Sequence, residues 1–566
     1  HNNKITVGGI SMKRISTGTE NFKELIDNNY YYVDKTMLIE DVISDKVMMY
    51  NRPRRFGKTL NLSMLYYFFS NQEKENSYLF KGLNISKDKE ILKHQNQYPV
   101  IFLTLKDMQY LNFEDQKKQF AILIKELILK NIELLDSSII DEADYNILND
   151  FRFLKPDEVQ LKNSLKILSN CLYKHYQQKV IILIDEYDVP LQSAYNNGYY
   201  DEMVDFLRSI FSSALKTNDA LERGILTGCL RIAKESIFTG LNNFTVRSIT
   251  SQYACDCFGF TQEEIDDLLD YYDLINKRDE IKDWYDGYLF DKTEIYNPWS
   301  VLNYIKELLG DKDFHAISFW ANTSSNDLVR QYIENATMKM KEEFEELING
   351  KSIIKKITPE LTYREMNFKS SKDMNDNVYS FLLFTGYLKI KEKVYENNEL
   401  VEDTYKLVIP NKEVKKIYEN IFIKWFREYQ NERDSNFIDA LIQEDVTKAN
   451  SILQDVLLQS ISYYDNYESF YHGFMVGFLN ADGYEVKSNR ESGEGRFDLA
   501  VLPYSILNTA IVIECKHSNS IKELRKDSKE ASNQIIEKRY IEGLRDEGYE
   551  NVIGYGISFY KKQCII

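Results

Sequence analysis

A short loop near the start of this 566-residue chain carries residue types that suit phosphate binding. Gly57, Lys58 and Thr59 follow an arginine-rich stretch and an apolar run at 47–50. If a strand leads through this loop into a helix, N–H groups at the helix N-terminus favour anions, the lysine reaches the β- and γ-phosphates, and the threonine hydroxyl can ligate Mg²⁺. The segment therefore predicts a site for ATP and Mg²⁺. Arg52 stands where such a loop usually has its first glycine, so an ordinary basic loop is the alternative.

A second set of residues completes this candidate site. The apolar run 180–184 ends in Asp185 and Glu186, at what we expect to be the carboxyl end of a strand. The aspartate could hold Mg²⁺ and the glutamate could orient or deprotonate the attacking water; alternatively, the two acids only cap a buried strand. The remaining candidates are Thr227 as a γ-phosphate sensor, Arg231 as an arginine finger, and Arg54 and Arg55 as positive charge beside the phosphates. Each also fits a plain strand-end threonine or a solvated arginine.

Residues near the C-terminus predict a second, metal-dependent site. Asp498 begins one apolar stretch, and the next run, at 510–513, ends in Glu514 and Lys516. On two adjacent strands these side chains would meet at one edge, because Glu514 and Lys516 share a face at the strand period of two. Two carboxylates can hold one or two Mg²⁺ ions, or Mn²⁺, while the lysine positions water or steadies developing charge. Taken alone, an aspartate upstream of Glu-x-Lys also occurs by chance.

Further candidates surround the second site. Glu468 shares one predicted helix face with His472 and could complete the metal shell. Arg496, in the loop before Asp498, could contact a nucleic-acid backbone. Basic residues follow at Lys522, Arg525, Lys526 and Lys529, interspersed with Glu523, Asp527 and Glu530. Phosphate contact and an ordinary solvated helix face both remain open for this stretch.

The elements that must position these residues follow from the apolar runs. Nearly continuous runs at 47–50, 100–105, 180–184 and 224–227 alternate with helical stretches, a pattern typical of a parallel sheet covered on both faces. After about residue 451 the predicted order is helix, three strands, helix and strand, with that second helix at about 527–544.

Composition limits the function classes. A net charge of −17 argues against a protein that coats nucleic acid without specificity, but a local basic groove can lie on an acidic body. No apolar run approaches the roughly 20 residues that span a bilayer, and a secretory signal is not evident. The six cysteines are scattered without paired zinc-ligand spacing, which indicates reduced thiols. We therefore expect a cytoplasmic protein that does not associate with membranes.

Four segments together resemble a known bacterial family. Residues 52–59, 183–188, 227–234 and 284–288 are similar to the AAA-ATPase-like family, which commonly carries a C-terminal nuclease domain of the PD-(D/E)XK superfamily. The resemblance implies an α/β fold with a P-loop parallel sheet of the additional-strand (ASCE) type, a helical lid and linker, and a restriction-endonuclease-like domain. It implies the roles given above for the lysine, threonine, aspartate and glutamate of the first site.

The domain boundaries follow from the pattern of apolar, acidic and charged stretches along the chain, and the resemblance adds two more candidate residues. The expected regions are a lead-in at 1–34, the P-loop domain at 35–250, a helical lid at 251–330, a helical linker region at 331–450 and the nuclease-like domain at 451–566. Gln534 and Tyr540, on the predicted helix after the second site, resemble the glutamine and tyrosine that some superfamily members place beside DNA. A polar helix face is the alternative for both.

The preferred hypothesis is an ATP-regulated, Mg²⁺-dependent nuclease that acts on DNA. The alternative is a nucleotide-dependent signalling or scaffold protein whose C-terminal domain binds nucleic acid without cutting. A third hypothesis is a nucleotide sensor that does not hydrolyse its ligand. The choice between DNA and RNA, and the formation of a homo-oligomer, stay open at this point.

Overall fold

The computed structural model contains two compact units. The first comprises His1–Trp320 and Ile354–Glu413, and the second comprises Ala321–Ile353 and Val414–Ile566. The structure describes residues 6–7, 10–230, 238, 244–320, 329–330, 332, 338–359, 361, 374–396, 399–430, 435–460, 468–479, 484–492 and 495–566. Within these ranges, no helix has both the length and the apolar character that crossing a membrane requires.

The elements up to Trp320 are numbered in chain order. Strands β1–β9 are Thr6–Val7, Ile10–Ser11, Val47–Asn51, Val100–Thr104, Val180–Asp185, Leu221–Gly228, Phe244–Arg247, Tyr288–Phe290 and Thr293–Ile295. Helices α1–α11 are Phe22–Asp27, Leu38–Ser44, Lys58–Phe69, Phe113–Lys130, Glu142–Arg152, Glu158–Tyr176, Val189–Asn197, Tyr200–Leu215, Gln262–Tyr271, Arg278–Tyr285 and Pro298–Gly310. Short 3₁₀ helices lie at Asn71–Phe80, Asn84–Lys87, Ile91–His94, Ile132–Asp136 and Ile275–Lys277.

The numbering continues through the rest of the chain. Strands β10–β17 are Ile353–Lys356, Lys389–Glu396, Glu399–Val408, Tyr484–Ser492, Gly495–Pro503, Ala510–His517, Val552–Tyr560 and Gln563–Ile565. Helices α12–α19 are Met338–Ile348, Met374–Phe384, Lys412–Gln430, Ser435–Ile442, Val446–Ser460, Glu468–Phe478, Leu524–Glu537 and Tyr540–Asp546.

Five described strands of the first unit form a parallel sheet in the order β4-β5-β6-β3-β7. β3 and β5 are buried along their whole length, which is why their sequences are continuously apolar rather than alternating. β6 lies between them, which is the additional-strand arrangement that the family resemblance implied. The α/β fold prediction is therefore confirmed. Because the strands run in one direction, the residues that follow β3, β5 and β6 meet at the same edge of the sheet.

Besides the parallel sheet, the described part of the first unit contains a second core and three small sheets, of which the pair β1–β2 is the first. Aromatic side chains from α9–α11 and the adjoining segments fill the core, including the buried residues Tyr272, Tyr285 and Tyr304. β8 and β9 form an antiparallel hairpin, and a three-stranded sheet has the order β10-β12-β11. This three-stranded sheet lies in the region predicted to be a helical linker. β11 is mostly exposed and charged, so it lacks the apolar alternation that signals a strand.

The sheet of the second unit has the order β13-β14-β15-β16-β17. Only the pair β15–β16 is parallel, and the other pairs are antiparallel. α18 packs closely on β16, because Gly556 leaves room there: a Cβ at this position would lie 2.3 Å from the Ser532 backbone nitrogen. The predicted order of helices and strands is correct except at two points, one of which is that β17 was not predicted. The helix expected at 527–544 is two helices, α18 and α19, separated by Arg539 with a positive φ of 55°.

Candidate functional site

The loop between β3 and α3 has a backbone shape that glycine and packing make possible. Gly57 precedes α3 in the left-handed region, with φ 77°, a conformation that costs glycine little. Phe56 is completely buried, and its ring lies 4.9 Å from that of Tyr288 in a T-shaped arrangement. The loop is therefore held by packing against β8, directly before α3 begins at Lys58. The first N–H groups of α3 have no partners within the helix and remain suited to an anion.

Lys58 is buried at the start of α3 and faces the loop. Its ammonium donates to the carbonyl oxygens of Arg52 and Pro53 at 3.2 and 3.0 Å and lies 3.5 Å from Cys229 Sγ. Burial lowers the pKa of Lys58, but the field of Cys229 and of nearby acids, including Glu186, outweighs it and raises the pKa overall. The lysine therefore keeps its positive charge at this edge of the sheet.

Thr59, Asp185 and Thr227 form one hydrogen-bonded group. The Thr59 hydroxyl donates to Asp185 Oδ2 at 2.7 Å, and the Thr227 hydroxyl donates to Oδ1. Asp185 is completely buried; burial raises its pKa, and the two hydroxyl groups oppose that shift. The structure thus brings these three predicted residues together. Glu186 follows in the left-handed region at φ 52°, and burial likewise raises the pKa of its half-buried carboxyl group.

Asp188 fixes the segment that leaves β6, a role that the sequence did not indicate. Its Oδ2 accepts the backbone N–H groups of Cys229 and Leu230 at 2.9 and 3.0 Å. Gly228 allows this approach, because a Cβ there would lie 2.5 Å from the Tyr187 ring and 2.8 Å from Asp188. The only available signal was the position of Asp188 three residues after Asp185. Its carboxylate holds the backbone of the loop that follows β6.

The three arginines of the phosphate loop have different environments. Arg52 is fully buried, and its guanidinium donates to the carbonyl oxygens of Asn51, Arg247 and Ala254, so it anchors the loop from below. Arg54 donates to Gln192 Oε1 at 2.8 Å. Arg55 lies over the Trp299 ring at 4.0 Å from its centroid. The remaining candidate cation of this site, Arg231, lies outside the described residues.

Asp498 and Glu514 lie side by side on β14 and β15. The Asp498 N–H donates to Glu514 Oε2 at 3.3 Å, and the Cys515 N–H donates to Asp498 Oδ2 at 2.9 Å. Glu514 is buried, with 4% of its surface exposed, and Asp498 is half-buried. Burial raises the pKa of Asp498, whereas the Cys515 N–H and the nearby His472 lower it. A bound cation would offset the cost of burying these carboxylates, and carboxylate oxygens are the ligands that Mg²⁺ prefers. The donor set therefore fits this ion.

α18 supplies the polar partners of the second site. The Gln534 amide donates to Glu514 Oε1, and Gln534 also hydrogen-bonds to the buried Tyr540. The two residues thus meet although they lie on different helices, which corrects the expectation of one continuous helix. Lys516 Nζ lies 3.3 Å from Glu530 Oε2, on the face of α18 that also carries Gln534. The predicted lysine therefore belongs to the same group of side chains as Glu514.

Two other predicted residues lie in described elements, but their side chains are outside the described part. Glu468 is the first residue of α17, and Arg496 is in β14, where it pairs with Glu491. His472 Nε2 lies 3.0 Å from the Asp498 carbonyl oxygen, so the histidine ring contacts the backbone of β14. Among the described residues, no group of three or more histidine, cysteine or acidic side chains could hold a metal ion. The third metal ligand stays a prediction.

Comparisons with known proteins identify the families of two regions of the chain. Residues 16–238 match the family model described as "Predicted AAA-ATPase", and residues 466–566 match the PD-(D/E)XK nuclease superfamily. The chain joins an AAA-ATPase-like domain to a PD-(D/E)XK domain. The phosphate loop, Asp185 and Thr227 lie within the AAA-ATPase-like match, and Asp498, Glu514 and Lys516 lie within the PD-(D/E)XK match.

A relative shares most of this length. An uncharacterized protein in the vnfD 5′ region of Azotobacter chroococcum mcd 1 is 24% identical over 510 residues, which cover 87% of this chain and 88% of that protein. The combination of an AAA-ATPase-like domain with a PD-(D/E)XK domain confirms the two-domain architecture that the sequence motifs predicted.

Proposed function

We propose that this protein binds and hydrolyses ATP in its AAA-ATPase-like domain and cuts DNA phosphodiester bonds in its PD-(D/E)XK domain. The proposal rests chiefly on the adjacency of Asp498 and Glu514, joined by a 3.3 Å hydrogen bond, with Lys516 two residues further along β15. Two carboxylates and a lysine at one sheet edge are what metal-assisted hydrolysis needs. A nuclease of this kind acts on nucleic acid, and the PD-(D/E)XK match supports that class of partner.

In the AAA-ATPase-like domain, the site residues have separate tasks. Lys58 and the first N–H groups of α3 would bind the β- and γ-phosphates, with Arg54 and Arg55 adding positive charge. Thr59 and Asp185 already share a hydrogen bond, and together they would hold Mg²⁺. Glu186 would orient the attacking water or take its proton. Thr227, whose hydroxyl is hydrogen-bonded to Asp185, would sense the γ-phosphate. Arg231 stays a candidate arginine finger.

In the PD-(D/E)XK domain, Asp498 and Glu514 would hold the metal, with Glu468 as a third carboxylate. The ion, Mg²⁺ or Mn²⁺, would polarise the phosphate and lower the pKa of a bound water. Gln534 would orient Glu514 through their hydrogen bond. Lys516 would stabilise developing charge once its ammonium exchanges Glu530 for the substrate.

Exposed cations beside these residues support a contact with a phosphate backbone. Four basic side chains on and just before α18 are exposed, namely Lys522, Arg525, Lys526 and Lys529. Of the three acidic residues among them, Glu523 and Asp527 are half-buried. The third acid, Glu530, is occupied by Lys516 and Lys526. The outward charge of this helix is therefore positive, as a polyanion requires, and Arg496 would add to it from β14.

A cleavage assay with the full chain tests this proposal. Linear, circular and single-stranded DNA and RNA are incubated with Mg²⁺ or Mn²⁺, with and without ATP. We expect cleavage of DNA that is lost in Asp498→Asn and Lys516→Ala and retained in Asp546→Asn, an exposed acid on α19. Cleavage that persists in both site variants, or is absent from the wild type on every substrate, contradicts the proposal.

One observation favours a second function, a nucleotide-dependent scaffold that binds nucleic acid without cutting. In the described part of the chain, the two carboxylates lack a third metal-ligating neighbour. Calorimetric titration with Mn²⁺ separates the two functions. Binding that disappears in Asp498→Asn supports the nuclease, whereas absence of binding together with retained affinity for DNA supports the scaffold.

A further inference from the structure

Arg55 is the arginine of the phosphate loop whose hydrogen-bonding capacity is still uncommitted. Arg52 is bound to backbone carbonyl oxygens, and Arg54 is bound to Gln192. Over the ranges that the structure describes, the Arg55 guanidinium donates no hydrogen bond and lies over the Trp299 ring, 4.0 Å from its centroid. Stacking holds the face of a guanidinium and leaves its in-plane N–H donors free. Arg55 is therefore held by its stacking on Trp299, while its N–H donors remain available to a ligand.

The backbone around Arg55 is fixed from both sides. Its φ of 69° lies in the left-handed region, which a side chain with a Cβ adopts only under constraint. On one side Phe56 packs on Tyr288. On the other side Gly386 approaches Pro53 so closely that a Cβ there would lie 3.0 Å from the proline Cβ. Packing on both neighbours thus holds the backbone at Arg55, whose side chain lies over Trp299.

Glu413 supplies the electrostatic part of this arrangement. Its carboxylate is completely buried and accepts hydrogen bonds from the Ser300 hydroxyl at 2.8 and 2.9 Å and from the Trp320 N–H at 3.0 Å. These donors are neutral, and the cation whose field acts on Glu413 is Arg55. Glu413 acts in return on Arg55 and opposes the effect of its partial burial. A buried carboxylate without a cation nearby is costly, so the two residues stabilise each other.

Trp299 and Glu413, which both interact with Arg55, are connected to each other through α11. Trp299 and Ser300 are neighbours in the first turn of α11, and Ser300 binds Glu413 directly. We propose that Trp299 and Glu413 are positioning residues that hold Arg55 for the polyphosphate of the bound nucleotide. The proposal rests on the proposed ATP binding and adds Trp299 and Glu413 as the residues that orient Arg55 for contact with the phosphates. Glu413 is also the last residue of the first unit before the chain enters the second.

Titration of Mg²⁺-ATP into the full chain, followed by calorimetry, tests this assignment. We expect Arg55→Ala to lower the affinity about 10-fold, the loss of one charge-assisted phosphate contact. Glu413→Gln and Trp299→Leu should each lower it several-fold, and Arg55→Lys, which keeps the charge but not the fork, should fall between wild type and Arg55→Ala. The controls are Glu307→Gln, an exposed acid on α11, and Trp284→Leu, a half-buried tryptophan of the same unit.

The double variant Arg55→Ala/Glu413→Gln distinguishes positioning from a structural effect. If Glu413 acts through Arg55, the double variant binds ATP no more weakly than Arg55→Ala alone. Losses that add, or a wild-type affinity in both Glu413→Gln and Trp299→Leu, overturn the inference. If Glu413→Gln does not fold, the cycle of Arg55→Ala with Trp299→Leu gives the same decision. A wild-type protein that does not bind ATP contradicts the proposed function itself, a separate outcome.

Discussion

The Thr59 hydroxyl donates a 2.7 Å hydrogen bond to Oδ2 of Asp185. Thr59 lies in the first turn of α3 and Asp185 is the last residue of β5, so the bond spans the position of β6 in the sheet. The other carboxylate oxygen accepts the Thr227 hydroxyl from β6 itself. One buried carboxylate therefore connects all three elements that meet at the nucleotide site. A Mg²⁺ ion that takes Thr59 as a ligand would enter a group that is already assembled.

Removal of the Thr59 hydroxyl should weaken binding of ATP only when Mg²⁺ is present. We expect Thr59→Ala to lower the affinity for Mg²⁺-ATP roughly 10-fold, which corresponds to about 1.4 kcal/mol. Thr59→Ser keeps the hydroxyl and should stay close to wild type. Calorimetric titrations with Mg²⁺ and with EDTA measure the difference. An equal loss in both variants, or the same loss in EDTA, would show that the hydroxyl does not act through the metal.

Glu186→Gln should separate nucleotide binding from hydrolysis. The carboxyl group of Glu186 is half-buried beside Lys58, and a general base at such a position accelerates proton transfer by roughly 100-fold or more. We therefore expect phosphate release to fall by about that factor while the affinity for ATP stays within a few-fold of wild type. Glu263→Gln, an exposed acid on α9, is the control. If the wild type hydrolyses ATP and Glu186→Gln releases phosphate at the same rate, Glu186 has no part in the mechanism. If the wild type itself does not hydrolyse ATP, the nucleotide sensor is the better hypothesis.

The sequence predicted those parts of the sites that local pattern determines. β3 and β5 are buried along their length, so their apolar runs marked both the strands and the residues at their carboxyl ends. The spacing of Glu514 and Lys516 predicted their shared face, because side chains two positions apart lie on the same face of a strand. The domain boundaries and the catalytic roles stay predictions.

Contacts between segments distant in sequence could not be read in this way. Glu413 accepts from Ser300 across 113 positions, and no local pattern marks either residue. The break between α18 and α19 was missed because Lys538 and Arg539 are neither glycine nor proline, yet Arg539 adopts a positive φ. Arg52 stands where such a loop usually has a glycine, and only the fold shows that its burial among backbone carbonyl oxygens gives it a structural role there.

Gln534 should control the metal affinity of the PD-(D/E)XK site. Its amide binds Glu514, and loss of such a partner typically costs roughly 10–100-fold in metal affinity. We expect Gln534→Ala to show this loss in a calorimetric titration with Mn²⁺. Asn533→Ala changes an exposed amide of the same helix and should leave the affinity unchanged. Equal affinities for the two variants would mean that Glu514 is oriented without Gln534.

A methyl group at Gly556 should displace α18. It would lie 2.3 Å from the Ser532 nitrogen and 2.4 Å from the Ser528 oxygen, both of them backbone atoms that cannot rotate away. We expect Gly556→Ala to destabilise the second unit by about 1–3 kcal/mol and to weaken Mn²⁺ binding, because Gln534 moves with the helix. Gly310→Ala, where nothing lies within 4 Å of the added methyl group, is the control. Differential scanning calorimetry would refute the prediction by giving both variants the wild-type melting temperature.

Glu413 should make the stability of the first unit depend on pH between about 4.5 and 7. Burial raises its pKa from 4.5 to about 7, against the hydrogen bonds from Ser300 and the N–H groups of Trp320 and Phe319 and against the field of Arg55. Since the folded state then binds the proton more tightly than the unfolded state, this contribution to the free energy of unfolding is largest below pH 4.5 and is lost as the pH rises through 7.

The shift corresponds to roughly 3 kcal/mol at most. Glu413→Gln carries no titrating group at this position. The melting temperature of the wild type minus that of this variant should therefore decrease as the pH rises from 4.5 to 7.5. Glu307→Gln should show no such pH-dependent difference, because Glu307 is exposed. A difference between wild type and Glu413→Gln that is constant with pH would show that Glu413 stays ionised throughout, held by Arg55 more strongly than burial opposes.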